Sequence, residues 1–314
     1  MAQAKYRNQL PQSGDNIFLT DGGLETTLLF LEGFDLPHFA AFDLLKDVNG
    51  KQAIENYLLK YISIAKDNGT GMVLDTPTWR ASQDWGTLLN YSPEALDVIN
   101  REAVEMLHDL RAAHETEETK CVINGAIGPR GDGYDPAFLM SAEEAMDYHR
   151  AQVTSIADAG ADMITAVTMT YAEEAIGIAR LGVEKGIPIV ISFTVETDGK
   201  LPTGESLEEA IGRTDEASGN GPAYYMINCA HPTHFENILK SGGSWRNRIG
   251  GLRANASALS HAELDEAEEL DDGNPTEFGE QHLVLSKYLP NLAVIGGCCG
   301  TDHRHVDAVH RHIH

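Results

Sequence analysis

Three of the four cysteines in the chain stand just after short apolar runs. Cys229 follows the run Ala223–Asn228, and Cys298 and Cys299 come just after Leu292–Gly296. Three thiolates around one Zn²⁺ leave the fourth tetrahedral position open, as in catalytic zinc sites. The glycines beside the adjacent cysteines allow both side chains to turn to one side. A zinc site is one interpretation of this pattern, and buried cysteines at strand ends without a metal are the other.

Alternating strands and helices must bring these cysteines together. Helical periodicity and cap signals, such as the capping box that begins at Ser141, fill the intervals between apolar runs rich in β-branched residues. The runs are nearly continuous rather than alternating, which is typical of a parallel sheet covered on its faces. The pattern predicts strands at Ile17–Thr20, Met72–Asp75, Val122–Ala126, Met163–Val167, Ile187–Phe193, Ala223–Asn228, Ile249–Ala254 and Leu292–Gly296.

Eight strand–helix repeats in 314 residues predict an α/β protein with a (β/α)8 TIM barrel. An open doubly wound sheet is the main alternative, but it normally carries a glycine-rich phosphate turn after its first strand. The segment Asp21–Thr26 reads DGGLET and does not match GxGxxG. Because no linker separates two parts of the chain, we expect a single domain over residues 1–314. Function in such a barrel collects at the carboxyl ends of the strands.

Composition and cysteine content indicate a cytoplasmic protein that binds neither nucleic acid nor membranes. The chain has 23 Lys+Arg against 48 Asp+Glu, a formal net charge of −25, which repels phosphate backbones and anionic lipid. No apolar run is long enough to span a bilayer, and the polar N-terminus does not resemble a signal peptide. Four cysteines are too few for a disulfide framework, so all four are expected to be reduced, with Cys121 buried and inert.

Three segments of the chain resemble a known family in order and spacing. They are DGGLET at 21–26, INC at 227–229 and GGCCGT at 296–301. The family is that of the zinc-dependent homocysteine S-methyltransferases, which includes enzymes that use betaine and S-methylmethionine. The similarity extends from about Phe18 to Val309, and the sequence is identified as a divergent member. The resemblance implies a TIM barrel in which Cys229, Cys298 and Cys299 bind zinc.

The resemblance also implies a reaction. A thiol bound to zinc loses its proton, and the thiolate attacks a methyl group on a small sulfonium or quaternary ammonium donor. The expected acceptor is homocysteine and the expected product methionine, so both partners are small molecules. S-methylmethionine, S-adenosylmethionine, another sulfonium or a betaine remain open as donors. A monomer or a homodimer is expected.

Several residues near the predicted strand ends are candidates for substrate binding. Because the donors are cationic, acidic and aromatic side chains at the barrel mouth would favour them. Gly22 and Gly23 have two interpretations: their amides bind a substrate carboxylate, or they form a tight turn. Asn228 matches the Asn-Cys pair of the family and is expected to orient a ligand or hold the neighbouring loop. The acidic and aromatic candidates are Asp21, Glu25, Asp75, Trp79, Trp85 and Tyr134.

One departure from the family concerns the acceptor. After its fourth strand the family usually carries a Glu that binds the amino group of homocysteine, and Val167 falls at that position here. Glu196, after the fifth strand, or Glu25 is expected to compensate. Arg80 has two interpretations, a carboxylate-binding residue or the partner of a loop acid. The alternatives to homocysteine are another thiol or a selenol as acceptor, or a zinc-binding barrel without catalysis.

Overall fold

The chain forms a closed barrel of eight parallel strands, each hydrogen-bonded to the next and the last to the first. The computed structural model describes residues 3–14, 16–134, 136, 138–267 and 269–313. The predicted domain bounds 1–314 include positions 1, 2 and 314, which lie outside the described residues. The strands are β1 (Phe18–Leu19), β2 (Gly71–Asp75), β3 (Cys121–Ile127), β4 (Met163–Met169), β5 (Ile189–Phe193), β6 (Pro222–Asn228), β7 (Ile249–Ala254) and β8 (Val294–Gly297).

The TIM barrel predicted from the sequence is confirmed, and each predicted strand overlaps an observed one. The ends differ by up to two residues because the backbone ladder, and not hydrophobicity, decides where a strand ends. β1 closes the barrel by pairing Phe18 with Gly71 of β2 and with Val294 of β8. β4 extends to Met169, which pairs with Phe193 after a register shift that follows Ala166.

Helices fill the intervals between strands, as expected for βα units. Several begin with the cap signals visible in the sequence: Ser141 and Ser206 each form a capping box. Within the described residues the α-helices are α1 (Leu24–Thr26), α2 (Val48–Asp67), α3 (Gln83–Leu88), α4 (Pro93–His114), α5 (Ala142–Asp158), α6 (Ala172–Lys185), α7 (Leu207–Ser218), α8 (Pro232–Ser241), α9 (His261–Asp265), α10 (Pro275–Ser286) and α11 (His303–Ile313). None of the helices described is long and apolar enough to cross a membrane.

The floor of the barrel, at the amino ends of the strands, is filled by side chains. One cluster of buried residues gathers side chains from most of the strands together with Leu10 of the N-terminal segment. That segment is tied down by its backbone, since the amides of Lys5 and Tyr6 donate to Asp162 Oδ1 at 2.6 and 2.8 Å. The strand residues of the cluster are Phe18, Val73, Val122, Met163, Val190, Met226 and Val294. The carboxyl ends are therefore left for the site.

His282 of α10 gives the fold a dependence on pH. Its ring is fully buried beside Phe278, and Nδ1–H donates to the Phe278 carbonyl at 2.8 Å. Burial lowers the pKa of His282 from 6.5 to about 4. As pH falls from 6.5, the unfolded histidine takes up a proton before the folded one does. Stability is therefore lost between pH 6.5 and 4, by about 1.4 kcal/mol per pH unit for this one group.

We expect His282→Gln to flatten the pH dependence of the unfolding free energy between pH 6.5 and 4, measured by urea denaturation. Gln keeps a donor for the Phe278 carbonyl but does not titrate. Substitution of the exposed His303 by Gln is the control and should leave the slope unchanged. A His282→Gln protein with the full wild-type slope would contradict this assignment.

Candidate metal centre and adjoining cavity

The three cysteines predicted to bind zinc meet at the carboxyl ends of β6 and β8. Their Sγ atoms all lie within 4.8 Å of one another. The Cys229 and Cys299 sulfurs are 3.9 Å apart, close to the about 3.8 Å that two sulfurs bound to one tetrahedral zinc require. The Cys229 and Cys298 sulfurs are in direct contact. A metal would require all three cysteines as thiolates.

Cys121 lies apart from this cluster, as predicted. It belongs to β3 and is fully buried. Burial raises the pKa of its thiol to about 12, so it is protonated and unreactive at neutral pH. The metal-ligand set found among the described residues consists of the other three cysteines.

The backbone of Cys229 is held in an unusual conformation. Its φ is +52°, in the left-handed region that costs a residue other than glycine about 1–2 kcal/mol. Hydrogen bonds on both sides stabilise it: the amide donates to the Arg253 carbonyl at 3.1 Å, and the carbonyl accepts from His261 Nε2 at 2.7 Å. The thiol is thus aimed at the other two sulfurs by a backbone hydrogen bond to β7 and a hydrogen bond from the His261 side chain of α9.

The turn that carries Cys298 and Cys299 packs against the loop after β1. Gly23 N–H donates to the Thr301 carbonyl at 3.0 Å. A Cβ on Gly23 would lie 2.7 Å from the Cys298 carbonyl oxygen, and one on Gly22 would lie 2.8 Å from the Tyr61 hydroxyl, so only glycine allows this approach. Both glycines border the cavity. Close packing accounts for Gly23, while the binding of a substrate carboxylate by these backbone amides stays a prediction.

Two polar side chains point at the sulfurs. Asn228 is fully buried, and its Nδ2 lies 3.9 Å from Cys298 Sγ and donates to Thr168 Oγ1 at 2.8 Å. The Tyr134 hydroxyl lies 3.6 Å from Cys299 Sγ, and burial raises its pKa well above the usual value, so it stays a donor. Hydrogen bonds from N–H and O–H groups stabilise thiolates, which suits a metal-ligand set. Asn228 thus joins the end of β6 to β4 and does not border the cavity.

Arg253 joins Asp21 and Asp75 beside the cysteines. Its Nη2 contacts Asp21 Oδ1, its Nη1 contacts Asp75 Oδ2, and all three residues are buried. Arg253 Nε also donates to the carbonyl of Gly297, the residue before Cys298, at 3.1 Å. Burial raises the pKa of Asp21, and the Arg253 charge opposes that shift. The two acids predicted to bind substrate therefore have a cationic partner within the protein.

A cavity of about 430 Å³ opens above the cysteines at the carboxyl ends of the strands. Cys229, Cys298 and Cys299 form part of its wall. Acidic residues outnumber basic ones in its lining, so the cavity favours cations. The acidic lining residues are Asp21, Glu25, Asp75, Asp132, Glu269 and Asp271, and the basic ones are Arg80 and Arg253.

Glu25 differs from the other acids deep in this cavity. Among the described residues no side chain donates a hydrogen bond to its carboxylate, and burial raises its pKa. Arg80 and Arg253 act on it only through their charges. Glu25 also lies close enough to Cys299 that its charge adds to burial in raising the pKa of that thiol. A carboxyl group that makes no ion pair with a described residue thus faces the cavity near the sulfurs.

Glu196 lies elsewhere. Its carboxylate Oε1 is 3.0 Å from His261 Nδ1, and it does not border the cavity. The ring of His261 stands between Glu196 and the Cys229 carbonyl. Of the two glutamates expected to compensate for Val167, only Glu25 faces the space where a ligand can bind. Val167 itself lines the cavity.

The predicted aromatic wall is only partly available to a ligand. Trp79 and Tyr134 border the cavity, and Trp85 does not. The Arg80 guanidinium lies 4.7 Å from the Trp79 ring centroid and 3.9 Å from that of Trp85, so it stacks on both tryptophans. Arg80 also pairs with Asp132 at 3.4 Å. The interpretation of Arg80 as the partner of a loop acid is confirmed.

Sequence reasoning missed two residues of the site. Arg253 is the one charged residue in the apolar run that forms β7, and that interruption was a visible signal, because a buried charge requires a partner. His261 was visible only as part of an acidic surface segment, and nothing in the sequence places it against Cys229.

Comparison with known proteins identifies relatives. A family model for homocysteine S-methyltransferase matches residues 18–313. A selenocysteine Se-methyltransferase of Brassica oleracea var. italica is 24% identical, over 94% of this chain and 88% of the plant protein. Homocysteine S-methyltransferase 1 of Arabidopsis thaliana is 25% identical, over 93% and 92%. The oxidised form of the homocysteine methyltransferase MmuM from Escherichia coli superposes with a TM-score of 0.74 at 19% identity, over 97% and 98%. Its metallated form gives 0.72 at 17%, over 97% and 99%.

The Arg253 pairing predicts a large and specific loss of stability. Arg253→Met leaves Asp21 and Asp75 buried without a counter-charge, so we expect the free energy of unfolding to fall by about 3–5 kcal/mol in urea denaturation. Adding Asp21→Asn and Asp75→Asn removes both charges and should restore most of the loss. Wild-type stability of Arg253→Met would show that the pairing does not matter for the fold.

Proposed function

The chain belongs to the homocysteine S-methyltransferase family, and we propose that it transfers a methyl group from a small cationic donor to the thiol of homocysteine, giving methionine. Family membership makes it a methyltransferase rather than a zinc-binding barrel without catalysis. One observation carries the assignment of the site: three cysteine sulfurs within 4.8 Å of one another form part of the wall of a cavity that Glu25 also lines.

We propose Cys229, Cys298 and Cys299 as the ligands of a catalytic zinc. Three sulfurs suit Zn²⁺ and leave one position open, and Asn228 and Tyr134 offer hydrogen bonds to two of them. Zinc held there would take the acceptor thiol as its fourth ligand and lower its pKa, so that the sulfur reacts as a thiolate. The similarity to a metallated structure of MmuM is consistent with this proposal.

The residues around the cysteines account for the binding of both substrates. The acidic lining attracts a cationic donor, and the Trp79 and Tyr134 side chains add aromatic surface for it. During transfer the acceptor sulfur bonds to the methyl carbon. The bond from that carbon to the donor sulfur or nitrogen breaks, and its electron pair stays with the donor. A sulfonium leaves as a thioether and a quaternary ammonium as a tertiary amine, each less strongly held by the acidic wall.

We propose that Glu25 binds the amino group of homocysteine in place of the glutamate that the family carries after its fourth strand. Its carboxylate lies near Cys299, so an ammonium bound there belongs to a molecule whose sulfur reaches the cysteine cluster. The similarity to a selenocysteine Se-methyltransferase favours a selenol as the second candidate acceptor. Selenocysteine carries the same amino and carboxyl groups as an amino-acid thiol. Both acceptors place an ammonium against Glu25.

The zinc assignment is tested by metal analysis together with a methyl-transfer assay. We expect one zinc per chain in reduced protein, and methionine detected by mass spectrometry when homocysteine is offered with S-methylmethionine, S-adenosylmethionine, simple sulfoniums and betaine in turn. Cys229→Ala, Cys298→Ala and Cys299→Ala should each lose most of the zinc and the activity. Cys121→Ala is the matched control and should keep both. Full zinc content in the triple mutant would contradict the ligand set.

The role of Glu25 is tested with two acceptors. Glu25→Gln keeps the size of the side chain and removes its charge, so homocysteine should bind about 1.5–3 kcal/mol more weakly, the range for a hydrogen bond to a charged group. Mercaptobutyrate, which is homocysteine without its amino group, should be affected much less. The measurement is kcat/KM for each acceptor in each variant.

Two further variants complete the comparison. Glu196→Gln should change kcat/KM for the two acceptors by the same factor, because its carboxylate contacts His261 and not the cavity. Val167→Glu should leave homocysteine use unchanged or improve it. If Glu25→Gln has no effect and mercaptobutyrate is used as well as homocysteine, then the acceptor is a different thiol.

A further inference from the structure

His261 occupies a position between the thiol cluster and the outer surface of the barrel. It is the first residue of α9, and its side chain is buried. The capping box of Ser260 and Glu263 fixes the start of this helix. The helix therefore fixes the backbone of His261, and contacts with the cysteine site fix its imidazole ring.

Those contacts reach two of the three cysteines. Nε2 lies 2.7 Å from the Cys229 carbonyl oxygen, which can only accept, so Nε2–H donates. The ring also stacks on Tyr134, with centroids 4.0 Å apart and planes 17° apart. The Tyr134 hydroxyl in turn lies 3.6 Å from Cys299 Sγ. One imidazole thus connects the backbone of Cys229 with the side chain that reaches Cys299.

The ring orientation is fixed by two more groups. Nδ1 faces the Glu196 carboxylate at 3.0 Å. Thr194 Oγ1 lies 3.4 Å from Nε2 and donates to the Cys229 carbonyl at 3.3 Å. The carbonyl of a residue in left-handed backbone therefore receives two hydrogen bonds, and its conformation depends on them.

We propose that His261 is a positioning residue for the metal centre, which holds Cys229 in its left-handed conformation and places the Tyr134 hydroxyl against Cys299. Glu196 is the residue that orients the imidazole. This role explains why Glu196 faces away from the cavity. The importance of this role for catalysis rests on the proposed zinc site. The hydrogen bonds and the ring stacking are contacts within the chain and do not depend on a metal.

Two substitutions separate the hydrogen bond from the stacking. His261→Phe keeps a ring against Tyr134 and removes the N–H, and His261→Gln keeps an N–H for the Cys229 carbonyl and removes the ring. We expect His261→Phe to lower zinc affinity about 10-fold or more, measured by competition with a chelating dye in reductant, as for other partners that orient metal ligands. His261→Gln should retain more of the affinity. His234→Phe is the matched control, because His234 Nε2 contacts the carbonyl of Ala258, which carries no metal ligand.

A second measurement does not depend on zinc. In reduced, metal-free protein the alkylation rate of Cys229, followed by mass spectrometry, should change several-fold in His261→Phe and stay at the wild-type value in His234→Phe. Wild-type zinc affinity and an unchanged alkylation rate in both His261 variants would overturn the proposal. If the wild-type protein binds no zinc, the zinc assignment fails, and the alkylation rate alone decides the role of His261.

Discussion

One buried guanidinium holds the ends of four strands together. Arg253 of β7 contacts Asp21 beyond β1 and Asp75 of β2 through its side chain, and it donates to Gly297 of β8. Its own carbonyl accepts the amide of Cys229, beyond β6. A charge taken out of water must be paired, so these strand ends cannot separate without exposing or orphaning it. The ion pairs of Arg253, together with the closed barrel, therefore keep the three cysteines close to one another.

The features that could be predicted from the sequence are those that depend on local pattern. Continuous apolar runs and capping signals predicted the strands and helices, and parallel strands that close a barrel must all end at one face. Cys229 and Cys298 are 69 residues apart in the chain, yet both follow strands, so their meeting was predictable. The predicted ends of the strands were less accurate, because hydrogen bonding to the neighbouring strands decides where each strand ends.

The features that could not be predicted are contacts between side chains from distant segments. Asp21 and Arg253 are 232 residues apart, and no periodicity reveals that one neutralises the other. The amide of Gly23 donates to Thr301 in the turn after β8, a contact that no local pattern predicts. Glu196 and Glu25 both follow strands and looked equivalent. Glu196 contacts His261 and lies outside the cavity lining, and no sequence pattern predicts that contact.

The filled floor of the barrel has a consequence for the order of events in turnover. Side chains around Phe18 and Leu10 close the amino-end face, so ligands reach the cysteines through the mouth at the carboxyl ends. If the acceptor binds at the sulfurs as proposed, the donor approaches from the mouth and lies above it. Under that proposal the acceptor enters first and its methylated product leaves last, which is an ordered sequential kinetic scheme.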